Sequence, residues 1–395
     1  MTLTGVQGEW SELGRSLLKR KHLTADWLPT FAAVPRSDFL PDVIWPHDMD
    51  TGTTVAVDQR EEPEKWAAYA DTDVPIVTQW DDGAGDKQGS VRLEPGTVPT
   101  SSASMPSVVF RMLAAAEIEP EHRVLEIGTG TGWNAGLLAH RLGADNVVSI
   151  EVDAKVASDA RARLSAQGLL CSVLTRDGTE GDEAGAPYDR IIVTAGVREI
   201  PEAWVRHLVD EGGVLLAPWG THFGNGDALV RLRREGGQAI GRFLGPVEFM
   251  KLRSQRSTFA GHATYVPDGV EGADRSTTKV TEEQLLGDDR FAVARFAVGL
   301  RVGDCYHQAS DKRNGARPVW FYGLKDKSWA CVMFQDGRSE AMVWQSGPRR
   351  LWDEVSDALA WWRAAGEPGY ERFGLTVTMY DQSAWLDRPS NDWAL

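Results

Sequence analysis

The sequence predicts an α/β protein built on a doubly wound, parallel sheet. From Pro106 onward, short apolar runs alternate with amphipathic helical segments, as strands do when crossover helices return the chain to a parallel neighbour. The first of these runs, "RVLEI", opens directly into the alternate glycines of "GTGTGW". Acidic residues then stand at the ends of the following runs, at the sheet edge where open α/β sheets bind ligands.

Residues 9 to 40 place Trp10, Leu13, Leu17 and Leu18 at helical spacing, then Trp27, Phe31 and Val34 likewise, with Pro35 ending the second helix. Residues 48 to 99 are rich in Asp, Gly and Pro, and read as irregular or weakly stranded apart from pieces such as "VPIVTQW". The regular pattern then runs through a helix (Ser107 to Ala116), "RVLEI", a helix after the glycines, "NVVSIE" and a helix (Ala154 to Gln167). It continues through "CSVLT", "YDRIIVTA", a helix near "PEAWVRHL" and "GGVLLAP". The segments "DALVRLRREGG" and "AIGRFLGPVEFM" alternate apolar and polar residues around a glycine turn, which predicts a terminal hairpin.

After about Arg256 the texture changes, and "PDGVEGADRSTTK" reads as a linker or long loop. Strands "PVWFYGL", "SWACVMF" and "FGLTVTMY" and the helix "LWDEVSDALAWWRAAG", with Leu351, Val355, Leu359 and Trp362 on one face, predict a small α+β domain. The expected organisation is a catalytic domain over 1–256, with N-terminal helices and cap in 1–99 and a cofactor-binding core in 100–256. A C-terminal domain over 257–395 follows.

The 395 residues are 42% hydrophobic and 25% charged, the composition of a soluble globular protein. A net charge of -15 argues against nucleic acid as a partner, because affinity for phosphate backbones comes from Lys and Arg displacing counterions. No secretory signal and no membrane-length apolar run is present, so a cytoplasmic location without a membrane partner is expected. Cys171, Cys305 and Cys331 lack metal-ligand spacing and read as reduced thiols; no metal is expected.

A strand entering a helix through glycines presents backbone N–H groups and the positive end of the helix dipole to a ligand. Gly128, Gly130 and Gly132 allow close approach. A dinucleotide site counted from Gly128 wants glycine at position 133, which is Trp, although Gly130 to Ala135 fits G-x-G-x-x-A. Glu126 favours the other nucleotide class: an acid beside the loop can engage the ammonium of S-adenosylmethionine while the loop meets its carboxylate. Glu151, nineteen positions beyond Gly132, stands where a carboxylate accepts from ribose hydroxyls, and Asp177 in "RDG" is placed for the adenine amino group. The plainer alternative is a helix-start acid with two solvated ones.

The segments "VLEIGTGTGW", "VSIE", "RDG", "YDRIIVTAGVREIP" and "EGGVLLAPWG", in that order, resemble the motifs of protein-L-isoaspartate (D-aspartate) O-methyltransferases. "AAVPRSDFLPD" resembles that family's opening helix end, and Val247, Phe249 and Leu252 its closing segment, so the similarity spans roughly residues 9–255. It implies a Rossmann-like S-adenosylmethionine-dependent core whose product is S-adenosylhomocysteine. The implied cofactor set is Glu126, Gly128, Thr129, Gly130, Gly132, Trp133, Glu151, Val152, Asp177, Gly178 and Thr194.

Family members carry Thr-x-Ser before the helix preceding the first strand, and "PTSSASMPS" aligns Thr100 and Ser102 with it. Proline is delayed to Pro106, which keeps Ser101 and Ser104 beside Ser102 as acceptor-positioning candidates. The competing reading is a helix cap at Ser104 or Ser107. An acidic chain needs a local positive spot to attract an acidic acceptor, and Lys251, Arg253 and Arg256 in "MKLRSQR" are candidates, against a solvated basic run.

Compact repair enzymes of this family end near residue 256. Longer forms resemble methyltransferases associated with ribosomally made, modified peptides such as lanthipeptides and ATP-grasp-made peptides. The implied partner is a peptide or protein bearing aspartate or isoaspartate, here a modified precursor peptide whose methyl ester closes to aspartimide; general isoaspartate repair is the alternative. The tryptophans of 257–395 either grip that peptide or build the domain core. A dehydrogenase, and a binding protein on a retained cofactor fold, are the remaining readings, and the intact acid and glycine set opposes the latter.

Overall fold

The computed structural model describes residues 11–49, 51–84, 94–224, 226–257, 259–288 and 290–395; Trp10 of the first expected helix lies outside them. The chain divides into two compact units. One holds 1–195, 201–216 and 233–237, the other 196–200, 217–232 and 238–395.

In the first unit, helix α1 (Glu12–Lys19) starts where the Ser11 hydroxyl accepts from the Gly14 N–H at 3.2 Å, and it buries Leu13 and Leu17. Helix α2 (Leu28–Ala33) stops at Val34, ahead of Pro35. Strands β1 (Val43–Pro46) and β2 (Val57–Asp58) follow, then helix α3 (Pro63–Ala70), β3 (Ile76–Trp80) and β4 (Pro99–Ala103). These strands form an antiparallel sheet in the order β2-β1-β3-β4.

Two expectations for this region change. The stretch 48–99 contains a real helix, α3, with Pro63 in its first turn and Trp66 and Ala70 buried one turn apart. "PTSSA", read as an acceptor motif or the polar lead-in to a helix cap, is strand β4, because its backbone pairs with β3 in the register Val77↔Ser102 and Ile76↔Ala103. Polar, proline-flanked segments read as loops, and only the partner strand reveals otherwise.

Helix α4 (Pro106–Ala115) leads into β5 (Val124–Ile127), α5 (Trp133–Leu142), β6 (Val147–Glu151), α6 (Ala154–Ala166), β7 (Ser172–Thr175), β8 (Arg190–Val193), α7 (Glu202–His207) and β9 (Val214–Trp219). Neither Ser104 nor Ser107 caps α4. Its cap residue is Met105, and the Ser107 N–H donates instead to the Asp73 carboxylate at 2.8 Å. The parallel order is β8-β5-β6-β7, with Val214–Leu216 beside β8. This is the Rossmann-like, doubly wound pattern: the chain runs outward from β5 to β7, then returns to β5's other side with β8, which makes the carboxyl ends of β5 and β8 the switch point.

The second unit contains most of the expected hairpin, β10 (Asp227–Glu235) and β11 (Gln238–Val247), turning at Gly236 and Gly237, both with positive φ. Then come α8 (His262–Tyr265), β12 (Asp274–Thr278), α9 (Glu282–Leu286), α10 (Val293–Arg301), β13 (Cys305–Ala309), β14 (Ala316–Gly323), β15 (Trp329–Gln335), β16 (Ala341–Ser346), α11 (Leu351–Ala364), β17 (Phe373–Val377), β18 (Gln382–Leu386) and β19 (Asp392–Ala394). The expected linker "PDGVEGADRSTTK" includes β12, which pairs antiparallel with β16. The five-stranded sheet β12-β16-β15-β14-β13 buries Val319, Phe321, Val332 and Val343 with Leu351, Val355 and Leu359 of α11. Trp329, Trp352 and Trp385 are buried, whereas Trp320, Trp344, Trp361, Trp362 and Trp393 are half-buried, so the core takes only part of this unit's tryptophan surface. Among the described residues no helix is long and apolar enough to cross a membrane, and the three cysteines are free thiols.

Candidate active site

The site is built at the carboxyl end of β5. Gly128, Gly130 and Gly132 all have positive φ (98°, 54° and 91°), which an L side chain rarely adopts. Space restricts the first two as well. A Cβ on Gly128 would lie 2.7 Å from the Thr194 Oγ1, and one on Gly130 would lie 3.3 Å from the Ser102 carbonyl oxygen. Thr194, at the end of β8, clamps the loop by donating to the carbonyls of Ile127 and Gly128.

Glu151 closes β6 and accepts from the Gly130 N–H at 3.0 Å and from the Asp153 N–H at 3.1 Å, one oxygen each. Each oxygen keeps a second lone pair for a ribose hydroxyl. Val152 beside it is 40% exposed, an apolar surface of the kind an adenine ring covers. Asp177, at the end of the next strand's turn, uses Oδ1 for the Thr179 N–H and hydroxyl, and Oδ2 has no partner among the described residues. The Gly178 carbonyl is held by Trp204 Nε1 at 2.8 Å. A cradle that a methyl group would fill, with acids at consecutive strand ends, fits an adenosyl cofactor carrying an amino-acid end.

Two of the expected cofactor residues lie inside the fold. Glu126 has no exposed surface, and its two oxygens are occupied by Asn134 Nδ2 (2.7 Å) and the Ser149 hydroxyl. Burial pushes its carboxyl up to about 7, against the hydrogen bonds that favour the ionised form. The residue thus organises the loop from within, through Asn134 and Ser149. Thr129 shares this network through Ser149 at 2.6 Å. Trp133 is also internal: its Nε1 donates to the Val34 carbonyl at 3.1 Å and its ring meets Phe110 edge to face, so it anchors α5 to the N-terminal helices.

The acceptor-motif residues divide by partner. Thr100 donates to Gln79 Oε1 at 2.9 Å, and Ser101 is buried and accepts from the Thr78 hydroxyl at 3.1 Å. Ser104 contributes its carbonyl to Arg36. The hydroxyls of Ser102 and Ser104 have no partner among the described residues. Sequence reasoning missed what holds this strand. Arg36, buried in "VPR", donates to the carbonyls of Thr72, Val74, Ala103 and Ser104, and burial lowers its guanidinium to about 9. Gln79 links Thr100 to Asp153 at the cofactor edge. The available signal was an arginine inside an otherwise apolar helix end.

The basic run belongs to the second unit. Lys251 is not an open acceptor-binding charge, because its ammonium is ion-paired with Asp227, a carboxylate of 0% side-chain exposure. Arg253 opens a short turn, Arg253–Gln255, and Arg256 closes it.

The glycine cradle and the strand-end acids define an S-adenosylmethionine-dependent methyltransferase. The family model of protein-L-isoaspartate (D-aspartate) O-methyltransferases matches residues 63–257. A protein-L-isoaspartate O-methyltransferase of Methylorubrum populi is 38% identical over 186 residues, 47% of this chain and 76% of that protein. A solved protein-L-isoaspartate O-methyltransferase is 19% identical with a TM-score of 0.49, over 92% of this chain and 95% of its own. A putative one from Plasmodium falciparum, in complex with S-adenosyl-L-homocysteine, is 17% identical with a TM-score of 0.45, over 62% and 97%. By its sequence match the chain belongs to the protein-L-isoaspartate (D-aspartate) O-methyltransferase family, enzymes that methylate protein carboxyl groups with S-adenosylmethionine.

Proposed function

We propose that this enzyme methylates the free carboxylate of isoaspartyl residues in polypeptides, with Ser102 positioning the acceptor oxygen. The observation that carries the assignment is the free hydroxyl of Ser102 on a strand whose main chain lies against Gly130. When bound, S-adenosylmethionine supplies an activated methyl on a positively charged sulfur. Glu151, Val152, Asp177 and Gly178 would hold its adenosine, and the loop from Gly128 to Gly132 its amino-acid end.

The chain's own work is alignment. A carboxylate acceptor is ionised near neutral pH, so no residue has to remove a proton. The bound cofactor would supply its methyl to a carboxylate oxygen of the acceptor and depart as the neutral thioether, S-adenosylhomocysteine. Thr194 and Glu151 fix the loop, and Arg36 fixes β4, so that the two reactants are held in one geometry. The ester then closes without further catalysis: the neighbouring backbone nitrogen attacks its carbonyl, methanol departs and a succinimide remains.

A second reading favours one aspartate of a modified ribosomal peptide as the acceptor. It is supported by the 258–395 region beyond the family match, with its half-buried tryptophans, which would serve peptide recognition. Methyl transfer from labelled S-adenosylmethionine to an isoaspartyl peptide and to a cyclised, aspartate-containing peptide separates the two. Transfer to the cyclised peptide alone overturns the repair reading. In either case Ser102→Ala is expected to lower kcat about tenfold, the worth of one hydrogen bond to a charged group, without changing cofactor affinity. An unchanged kcat removes Ser102 from the acceptor site.

A further inference from the structure

The turn after β7, from Arg176 to Asp182, is braced both by its own residues and by helix α7. Within the turn, Asp177 Oδ1 accepts from the Thr179 N–H and hydroxyl, each at 2.9 Å, and Arg176 pairs with the Asp182 carboxylate at 2.8 Å. The Tyr188 hydroxyl donates to the other Asp182 oxygen at 2.5 Å. Asp177 Oδ2 is the carboxylate oxygen of this turn that these contacts leave free.

Helix α7 adds Trp204 and His207, three residues apart on one helix face and 0% and 2% exposed. Trp204 Nε1 donates at 2.8 Å to the carbonyl of Gly178, the residue after Asp177, and that oxygen also accepts from the Gly181 N–H at 3.1 Å. His207 packs on the far end of the turn. A Cβ on Gly181, whose φ is 62°, would lie 2.6 Å from His207 Nδ1. Neither ring nitrogen of His207 has a hydrogen-bond partner among the described residues, so the ring acts by its shape. The helix is tied to the sheet in turn: the Tyr188 N–H donates to the His207 carbonyl at 2.8 Å, and the Val209 N–H to the Tyr188 carbonyl at 2.9 Å. Filling the core would need only the bulk of these two rings. The indole N–H does more, because it fixes the main chain next to Asp177.

We propose that Trp204 and His207 are positioning residues for cofactor specificity: by fixing Gly178 and Gly181 they hold the Asp177 carboxylate where Oδ2 accepts from an adenine amino group. A carboxylate held in place before the ligand arrives loses little freedom on binding, so the hydrogen bond is expressed as selectivity. The proposal rests on the assignment of Asp177 to the adenosine of S-adenosylmethionine.

The test is calorimetric titration of the full chain with S-adenosylhomocysteine and with its analogue carrying hydrogen in place of the adenine amino group. The parent should prefer S-adenosylhomocysteine about 10- to 100-fold, the worth of a hydrogen bond to a charged group, and Asp177→Asn should lose most of that preference. Trp204→Phe keeps an aromatic ring and removes the N–H. It should weaken S-adenosylhomocysteine about three- to tenfold, the worth of one neutral hydrogen bond, and leave the analogue unchanged. A tryptophan that only supports the fold would lower both affinities alike. Gly181→Ala, which pushes the turn off His207, should also reduce the preference with the fold intact by circular dichroism, and it carries the test if Trp204→Phe does not fold. Full preference in either folded variant, or equal weakening of both ligands in Trp204→Phe, overturns the proposal; if Asp177→Asn has lost its preference in the same series, the cofactor assignment stands. Full preference in Asp177→Asn overturns that assignment, and the proposal with it.

Discussion

Glu126 in the first unit and Asp227 in the second are both fully buried carboxylates beside glycines, and the two are satisfied in different ways. In the first unit Glu126 lies two residues before Gly128 and is met only by neutral donors, Asn134 and Ser149. In the second unit Asp227 lies between Gly196 and Gly220, where added Cβ atoms would stand 2.7 Å and 2.2 Å from its oxygens, and it is met by the ammonium of Lys251. Desolvation pushes both acids upward. For Asp227 the adjacent ammonium of Lys251 opposes that push. Glu126 has no cation, and it reaches its midpoint near neutral pH. A buried ion pair is a fixed joint, whereas an acid held by neutral donors can change charge without losing all its partners.

The largest consequence is on the ion-pair side. Lys251→Met strands Asp227, whose Oδ2 already has no hydrogen-bond partner among the described residues. Removing one partner of a buried pair costs about 3–5 kcal/mol, read as a lower urea midpoint with an unchanged slope. The double variant Lys251→Met with Asp227→Asn should recover most of that loss. If the single variant is as stable as the parent, the pair is not the joint described here, and Lys251 returns as an acceptor-binding candidate.

The next variant is Gly128→Ala. The φ of 98° and the 2.7 Å approach to Thr194 force either the loop or the clamp to move, at roughly 1–3 kcal/mol. Because the loop is proposed to cradle the cofactor, affinity for S-adenosylmethionine should fall about tenfold or more in titration calorimetry. Retained affinity with lost stability would separate the cradle from the cofactor, and the likeness between the two glycine-flanked acids would then be structural only.

The difference between the regions also explains what was legible beforehand. Strands β5 to β9 and their helices follow from apolar runs and periodicity, because their burial is written in their own residues. The glycine cradle and Glu151 were legible because backbone conformation and strand-end position are local properties. The partners of Glu126, Trp133 and Lys251 were not, since each lies distant in sequence: Ser149, Val34 and Asp227. Strand β4 was hidden for the same reason, as was Arg36, which braces it from sixty-seven residues away at Ala103. An acid or a base read alone shows its charge; only the fold shows whether that charge is spent.

A pH-dependent effect tests whether the charge of Glu126 is spent. Between an ordinary carboxyl value near 4.5 and about 7, the folded chain keeps a proton that the unfolded chain has released. Glu126 therefore favours the fold most at the acid end, and its contribution falls as pH rises through that window and is flat above it. Glu126→Gln keeps the network without the titration. The amide oxygen can accept from Asn134, and its NH2 can donate to the Ser149 oxygen, which passes its own proton to Thr129. Relative to the variant, the parent should lose about 3 kcal/mol between pH 4.5 and 7.5 in urea unfolding series. Using the difference between the two curves cancels the other groups that titrate there. Parallel curves would mean that Glu126 is ionised throughout, held as firmly by two neutral donors as Asp227 is by an ammonium, and the contrast between the two units would vanish.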